Sequence, residues 1–217
     1  GVLQKEAMIR FFQVNRDIFL RTLCLVTVTL FFTSAGASQG EIILAVNTLL
    51  MQLFTLFSYV MDGFAYAGEA LSGRYIGARN RKAFTNTTRH LFIWGGWLAA
   101  FFTLVYALGG NAFLGLLTDN KDVVSAAGTY FYWALAIPVA GIAAFIWDGI
   151  FIGATATRGM LASMAIAAIS FFVVYYGLRP VLGNHALWLA FLVYLAMRGV
   201  VQTLLSPKII KENFTQP

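Results

Sequence analysis

Six apolar runs of membrane-crossing length constrain this chain more than anything else in it. They lie near residues 18–37, 42–73, 88–109, 123–156, 160–178 and 186–206. A hydrocarbon core about 30 Å thick takes roughly 20 helical residues to span. Lipid offers the backbone no hydrogen-bond partners, so only helices or closed barrels cross it, and these runs lack strand-like alternation. The expected fold is therefore all-α and integral to the membrane, with six transmembrane helices. The composition agrees: charged residues make up 11% of the 217, about half the share in soluble domains. The second and fourth runs are overlong, and Pro138 is expected to bend the fourth.

Loop charge sets the expected orientation. Lys5, Arg10, Arg16 and Arg21 open the chain, Arg74 to Arg89 supply five more basic residues, Arg158 follows, and Lys208 and Lys211 close it. The alternate loops hold only Lys121 and Arg179 as basic residues. The positive-inside rule then places both termini in the cytoplasm, and the expected location is the cell (inner) membrane. Residues 1–15 read as a basic amphipathic segment on the membrane surface, 16–209 as the six-helix lobe and 210–217 as a cytoplasmic tail. The net charge of +6 sits in loops between apolar runs, so no nucleic-acid partner is expected. Lipid is one partner. Cys24 lies alone in an apolar run and pairs with nothing.

Two acids interrupt the apolar runs, each followed by glycine: Asp62-Gly63 and Asp148-Gly149. A charge inside a membrane-length run is costly, so such residues face a protein interior or a watery path. Asp62 precedes Arg74 by about 18 Å of helix and Asp148 precedes Arg158 by about 15 Å, which puts both near the bilayer midplane. Around Asp62 the spacing 3, 4, 3, 4, 3 keeps Gln52, Thr55, Tyr59, Asp62, Tyr66 and Glu69 on one helix face, with Asn47 further up. Leu53, Leu56, Val60, Phe64 and Leu71 take the opposite face. Around Asp148, Gly149 and Gly153 permit close helix approach. Trp147 suits a lipophilic cation through cation–π attraction, and suits plain packing as well.

The remaining ionisable groups read more simply. Asp17 and Arg21, four apart, are expected to pair. Arg198 is expected to snorkel to the inner surface. His90 and His185 lack metal-ligand spacing. No phosphate loop, HExxH or GxSxG is present, so no enzyme and no cofactor is expected.

The residues NRDIFLR (Asn15 to Arg21), LAVN (Leu44 to Asn47), DGFAYAGE (Asp62 to Glu69), DGIFIGAT (Asp148 to Thr155), Gly73, Gly77 and Leu187-Trp188 together resemble the multidrug and toxin extrusion (MATE) transporters. The likeness is greatest to their DNA-damage-inducible prokaryotic branch, and it covers essentially the whole chain. It implies a twelve-helix, two-lobe transporter of about twice this length. This chain would be its second lobe, the N-terminal six-helix lobe being absent, in keeping with a start that lacks Met. It further implies antiport of organic cations against protons or sodium by alternating access. The branch's proton site would be an aspartate in the absent lobe. Other branches place a cation site where helices one and four of this chain lie, which Asp148 matches. Asp62, Asp148, Gln52, Tyr59, Tyr66, Asn47, Glu69 and Trp147 are the pathway candidates. A lipid-linked precursor flippase and a non-transporting membrane scaffold stay open as alternatives. Acids at the midplane argue against the flippase, and a scaffold should tolerate Asn at both aspartates.

Overall fold

The computed structural model describes the backbone of residues 2–214 and the side chains of residues 4–214. Six helices follow one another: α1 (Val2–Ala37), α2 (Glu41–Gly77), α3 (Arg81–Leu117), α4 (Lys121–Gly153), α5 (Thr157–Leu182) and α6 (Asn184–Phe214). All six are long and apolar enough to cross a membrane, and the protein is a membrane protein built as one six-helix lobe. Each helix outruns its apolar core because polar residues at both ends continue the helical hydrogen bonding into the interface. Residues 4–15 are the opening turns of α1 rather than a separate element, and residues 210–214 the closing turns of α6. The rest of the expected tail lies outside the described residues.

Short turns force neighbouring helices antiparallel, so α2, α4 and α6 run one way and α1, α3 and α5 the other. The first three of these form the inner layer, with α4 against both α2 and α6. α3 packs on α2 and α4, α5 on α6, and α1 chiefly on α5. α4 is accordingly the most buried helix, which its high apolar content without an amphipathic face requires.

Two apolar clusters fill the lobe. One, towards the α1–α2 and α5–α6 turns, centres on Leu50, Leu53, Phe171, Trp188 and Tyr194. The other, towards the basic loops, centres on Phe57, Met61, Ile146, Ile150 and Phe151. Between α2 and α4 the contact is backbone on backbone. A Cβ at Gly149 would lie within 2.8 Å of the Ala65 backbone, and one at Gly153 within 3.0 Å of the Glu69 Cα. The pair Gly149 and Gly153, four apart, is what lets two parallel helices approach this closely.

Pro138 leaves α4 unbroken: its expected bend does not interrupt the helix. Proline costs only one backbone bond, and the packed neighbours hold the helix through it. The break occurs in α3 instead, at Gly110, whose φ of 37° and ψ of −120° are open to glycine. At the basic end, α2 and α4 stop alike. Arg79 and Thr155 both take positive φ, 55° and 54°, and the amides of Asn80 and Ala156 reach back to the carbonyls of Tyr75 and Phe151. This is the left-handed helix stop. Thr155, a β-branched residue poorly suited to it, is held from α1 by Arg10, which donates to its Oγ1 at 2.7 Å.

Candidate functional site

Asp148 stands on α4 where α1, α4 and α6 meet, and it is buried. Three side chains converge on it. Arg21 Nη2 of α1 donates to Oδ2 at 2.6 Å, Arg198 Nη2 of α6 donates to the same oxygen, and Gln202 Nε2, one turn on from Arg198, donates to Oδ1 at 2.7 Å. Arg198 lies over the Tyr194 ring at 5.5 Å. The group formed by direct contact is one acid with two guanidiniums and one amide. Both carboxylate oxygens of Asp148 are thus occupied. Charge-assisted bonds of this kind are strong, and in an apolar surround these partners stand in for the water each charge has lost.

This corrects two expectations. Arg198 does not snorkel to the surface: with Asp148 one helix away at the same depth, pairing replaces the route to water. Arg21 does not pair with Asp17, because the longer reach across to Asp148 neutralises a buried charge. Asp17 instead accepts from Thr157 Oγ1 at 3.1 Å and from Arg16 at 3.3 Å. The midplane is therefore not simply acidic, contrary to the argument that set the flippase aside.

Asp62 is placed differently. It sits half-buried on the α2 stripe, and no side chain among the described residues pairs with it in a salt bridge. Gln52 and its neighbours Tyr59 and Tyr66 are exposed, the two tyrosines at 69% and 71%. Leu53 is fully buried, yet Leu56 and Val60 are also largely exposed. Gln52, Tyr59 and Tyr66 thus belong to a broad open face of α2, shared with Leu56 and Val60, that the described residues leave uncovered.

The MatE family model matches residues 18–181. The chain belongs to the MatE family. It is 43% identical over 191 residues to the DNA damage-inducible protein F of Escherichia coli K12, covering 88% of this chain and 41% of that protein. It is 24% identical over 198 residues to Protein DETOXIFICATION 42 of Arabidopsis thaliana, covering 89% of this chain and 38% of that one. The chain spans about two-fifths of the length of these relatives.

The other candidates of this MatE lobe are scattered. Asn47 is buried at the opposite end, in a polar knot: its amide and that of Asn184 exchange bonds at 2.9 Å, Trp188 Nε1 donates to its Oδ1 at 2.9 Å, and Gln39 donates to Asn184 at 3.0 Å. Trp147 is engaged by α6 and α3. Its Nε1 donates to Thr203 at 2.9 Å and its ring packs on Phe92. Glu69 is half-buried beside the α2–α4 seam. Among the described residues no three His, Cys, Asp or Glu side chains converge as metal ligands. The site residues that sequence reasoning missed are Arg21, Arg198 and Gln202. A signal existed for one of them: Arg198 precedes Lys208 by roughly ten residues, or ~15 Å of helix, the same offset that set the depth of Asp148.

Proposed function

We propose that this chain is one lobe of a two-lobe secondary transporter that exports organic cations in exchange for protons or sodium by alternating access. The observation that carries this reading is the uncovered α2 face. A membrane helix that presents Gln52, Tyr59, Asp62 and Tyr66 without partners needs a second surface or a watery cleft opposite. Membership of the MatE family, and the name of the Arabidopsis relative, Protein DETOXIFICATION 42, support an efflux reading. On that face Asp62 is the acid that meets the solute, flanked by rings suited to a cation. Asp148 is assigned the opposite role. With its oxygens engaged by Arg21, Arg198 and Gln202, it fastens α1 and α6 to α4, and the two guanidiniums beside it disfavour a coupling cation there. The ion is then bound at Asp62 or in the lobe that completes the transporter. Both termini of the chain face the cytoplasm.

The test uses the complete transporter containing this lobe, in proteoliposomes loaded with ethidium. An imposed proton or sodium gradient should drive ethidium movement, and Asp62→Asn should abolish most of it at equal protein density. Gradient-independent ethidium distribution would refute the reading.

A further inference from the structure

The gap between α1 and α2 opens into a cavity of about 200 Å³ floored by α6. Four threonines stand in its walls, Thr29 and Thr33 from α1, Thr48 and Thr55 from α2. Each spends its hydroxyl proton on its own helix. They donate to the carbonyls of Leu25, Thr29, Leu44 and Met51 at 2.9, 3.2, 2.8 and 2.9 Å. Such back-bonding leaves the hydroxyl oxygens as acceptors only. Asn47 and Arg198 also border the cavity, but Asn47 is committed to Asn184 and Trp188 and Arg198 to Asp148. The rest of the lining is apolar and aromatic, with Phe32, Phe54, Phe191 and Tyr194. The cavity therefore offers ring surfaces and hydrogen-bond acceptors, with no unpaired charge.

Size narrows the occupant. A dry cavity of about 150 Å³ holds one benzene, and sites for drug-sized ligands take about 300–1,000 Å³. This cavity admits one or two aromatic rings. We infer that it is a subsite for the uncharged aromatic portion of a transported solute, one bearing an O–H or N–H donor that meets the threonine oxygens. This rests on the transport reading above and adds to it a second contact region. Any formal charge on the solute stays outside, on the open face of α2. Thr55 and Asp62 share that helix about 10 Å apart, so one elongated solute reaches both.

Photolabelling of the complete transporter with 4-azidophenol tests this without requiring transport. Adducts are expected on the segments around Thr29 and Thr55. Neutral 2-naphthol should compete, whereas 2-naphthoate and 2-naphthyltrimethylammonium should not. Thr48→Phe, which fills the cavity, should remove the label. Thr55→Val keeps the shape and deletes one acceptor, and should weaken 2-naphthol competition about two- to ten-fold. Thr27→Val, on an α1 threonine outside the cavity, should leave it unchanged. Labelling elsewhere only, equal competition by the charged naphthalenes, or indifference to Thr55→Val would each overturn the subsite. Efflux without cavity labelling would sink the subsite and spare the transport reading. Cavity labelling in a protein that moves no solute would sink the transport reading and uphold the subsite.

Discussion

Arg21 on α1 donates to Asp148 on α4 at 2.6 Å, a bond that closes a loop of 127 residues. With Arg198 on the same carboxylate oxygen, one acid joins three helices. Removing it strands the buried guanidinium of Arg198 and the partly buried one of Arg21. Breaking a buried pair by deleting one partner costs about 3–5 kcal/mol. Asp148→Asn should therefore lower the thermal midpoint in detergent by many degrees. The double variant Asp148→Asn/Arg198→Gln should lose clearly less than the sum of the two singles, since it removes both ends of one contact. A wild-type midpoint for Asp148→Asn would show that the carboxylate has no structural share.

Asp62 should behave in the reverse manner. It has no salt-bridge partner to strand, and it is half-buried on an open face. Asp62→Asn should leave the midpoint within about 1 kcal/mol of wild type, the range of substitutions that break no buried network. In cells at matched protein level the same variant should retain dye. Normal efflux together with normal stability would remove Asp62 from the pathway.

The α2–α4 seam makes a third case. A methyl at Gly149 would run into the Ala65 backbone, which has no rotamer to give. Gly149→Ala should destabilise by about 1–3 kcal/mol, the cost of overpacking. Gly96 on α3 meets nothing within 4 Å, so Gly96→Ala should gain about 0.5–1 kcal/mol from helix propensity. The two midpoints should move in opposite directions; parallel shifts would contradict the packing.

At the far end, Asn47→Ala leaves Asn184 and the Trp188 indole short of partners in a buried site. Each orphaned buried group costs about 1–3 kcal/mol. The midpoint should fall, and near-ultraviolet dichroism from Trp188 should weaken. An unchanged spectrum would mean that the indole bond contributes nothing to order there.

The helices were legible in the sequence because apolar length and backbone hydrogen bonding leave lipid-embedded chain few options. The α2 spacing is a property of one helix and could be read locally, but Leu56 and Val60 are exposed with Tyr59 and Tyr66, so exposure does not separate the stripe from the face set against it. What joins helices was not legible. The meeting of Arg21, Asp148 and Arg198 depends on which helix lies beside which, and no local pattern carries that. Arg198 shows the limit well. Its depth was readable by counting from Lys208, but its direction was not, and a lysine or arginine near a helix end defaults to water unless a neighbour intervenes. Pro138 does not interrupt α4 for a related reason: proline weakens a helix locally, and the packing around α4 decides whether the helix breaks.

Gly149 and Gly153 have a mechanical effect as well as a steric one. Side chains between two helices act as bearings, since they can change rotamer and let one helix slide on the other. The α2–α4 seam has none at these points, only peptide groups against peptide groups. The two helices are therefore a single strut, and a solute pulling on the α2 face pulls on α4 and on everything Asp148 holds. α1 is coupled to this strut through Arg21 on Asp148, and is held otherwise by Arg10 on Thr155, aromatic contacts of Phe31 with α5 and the bond from Gln39 to Asn184.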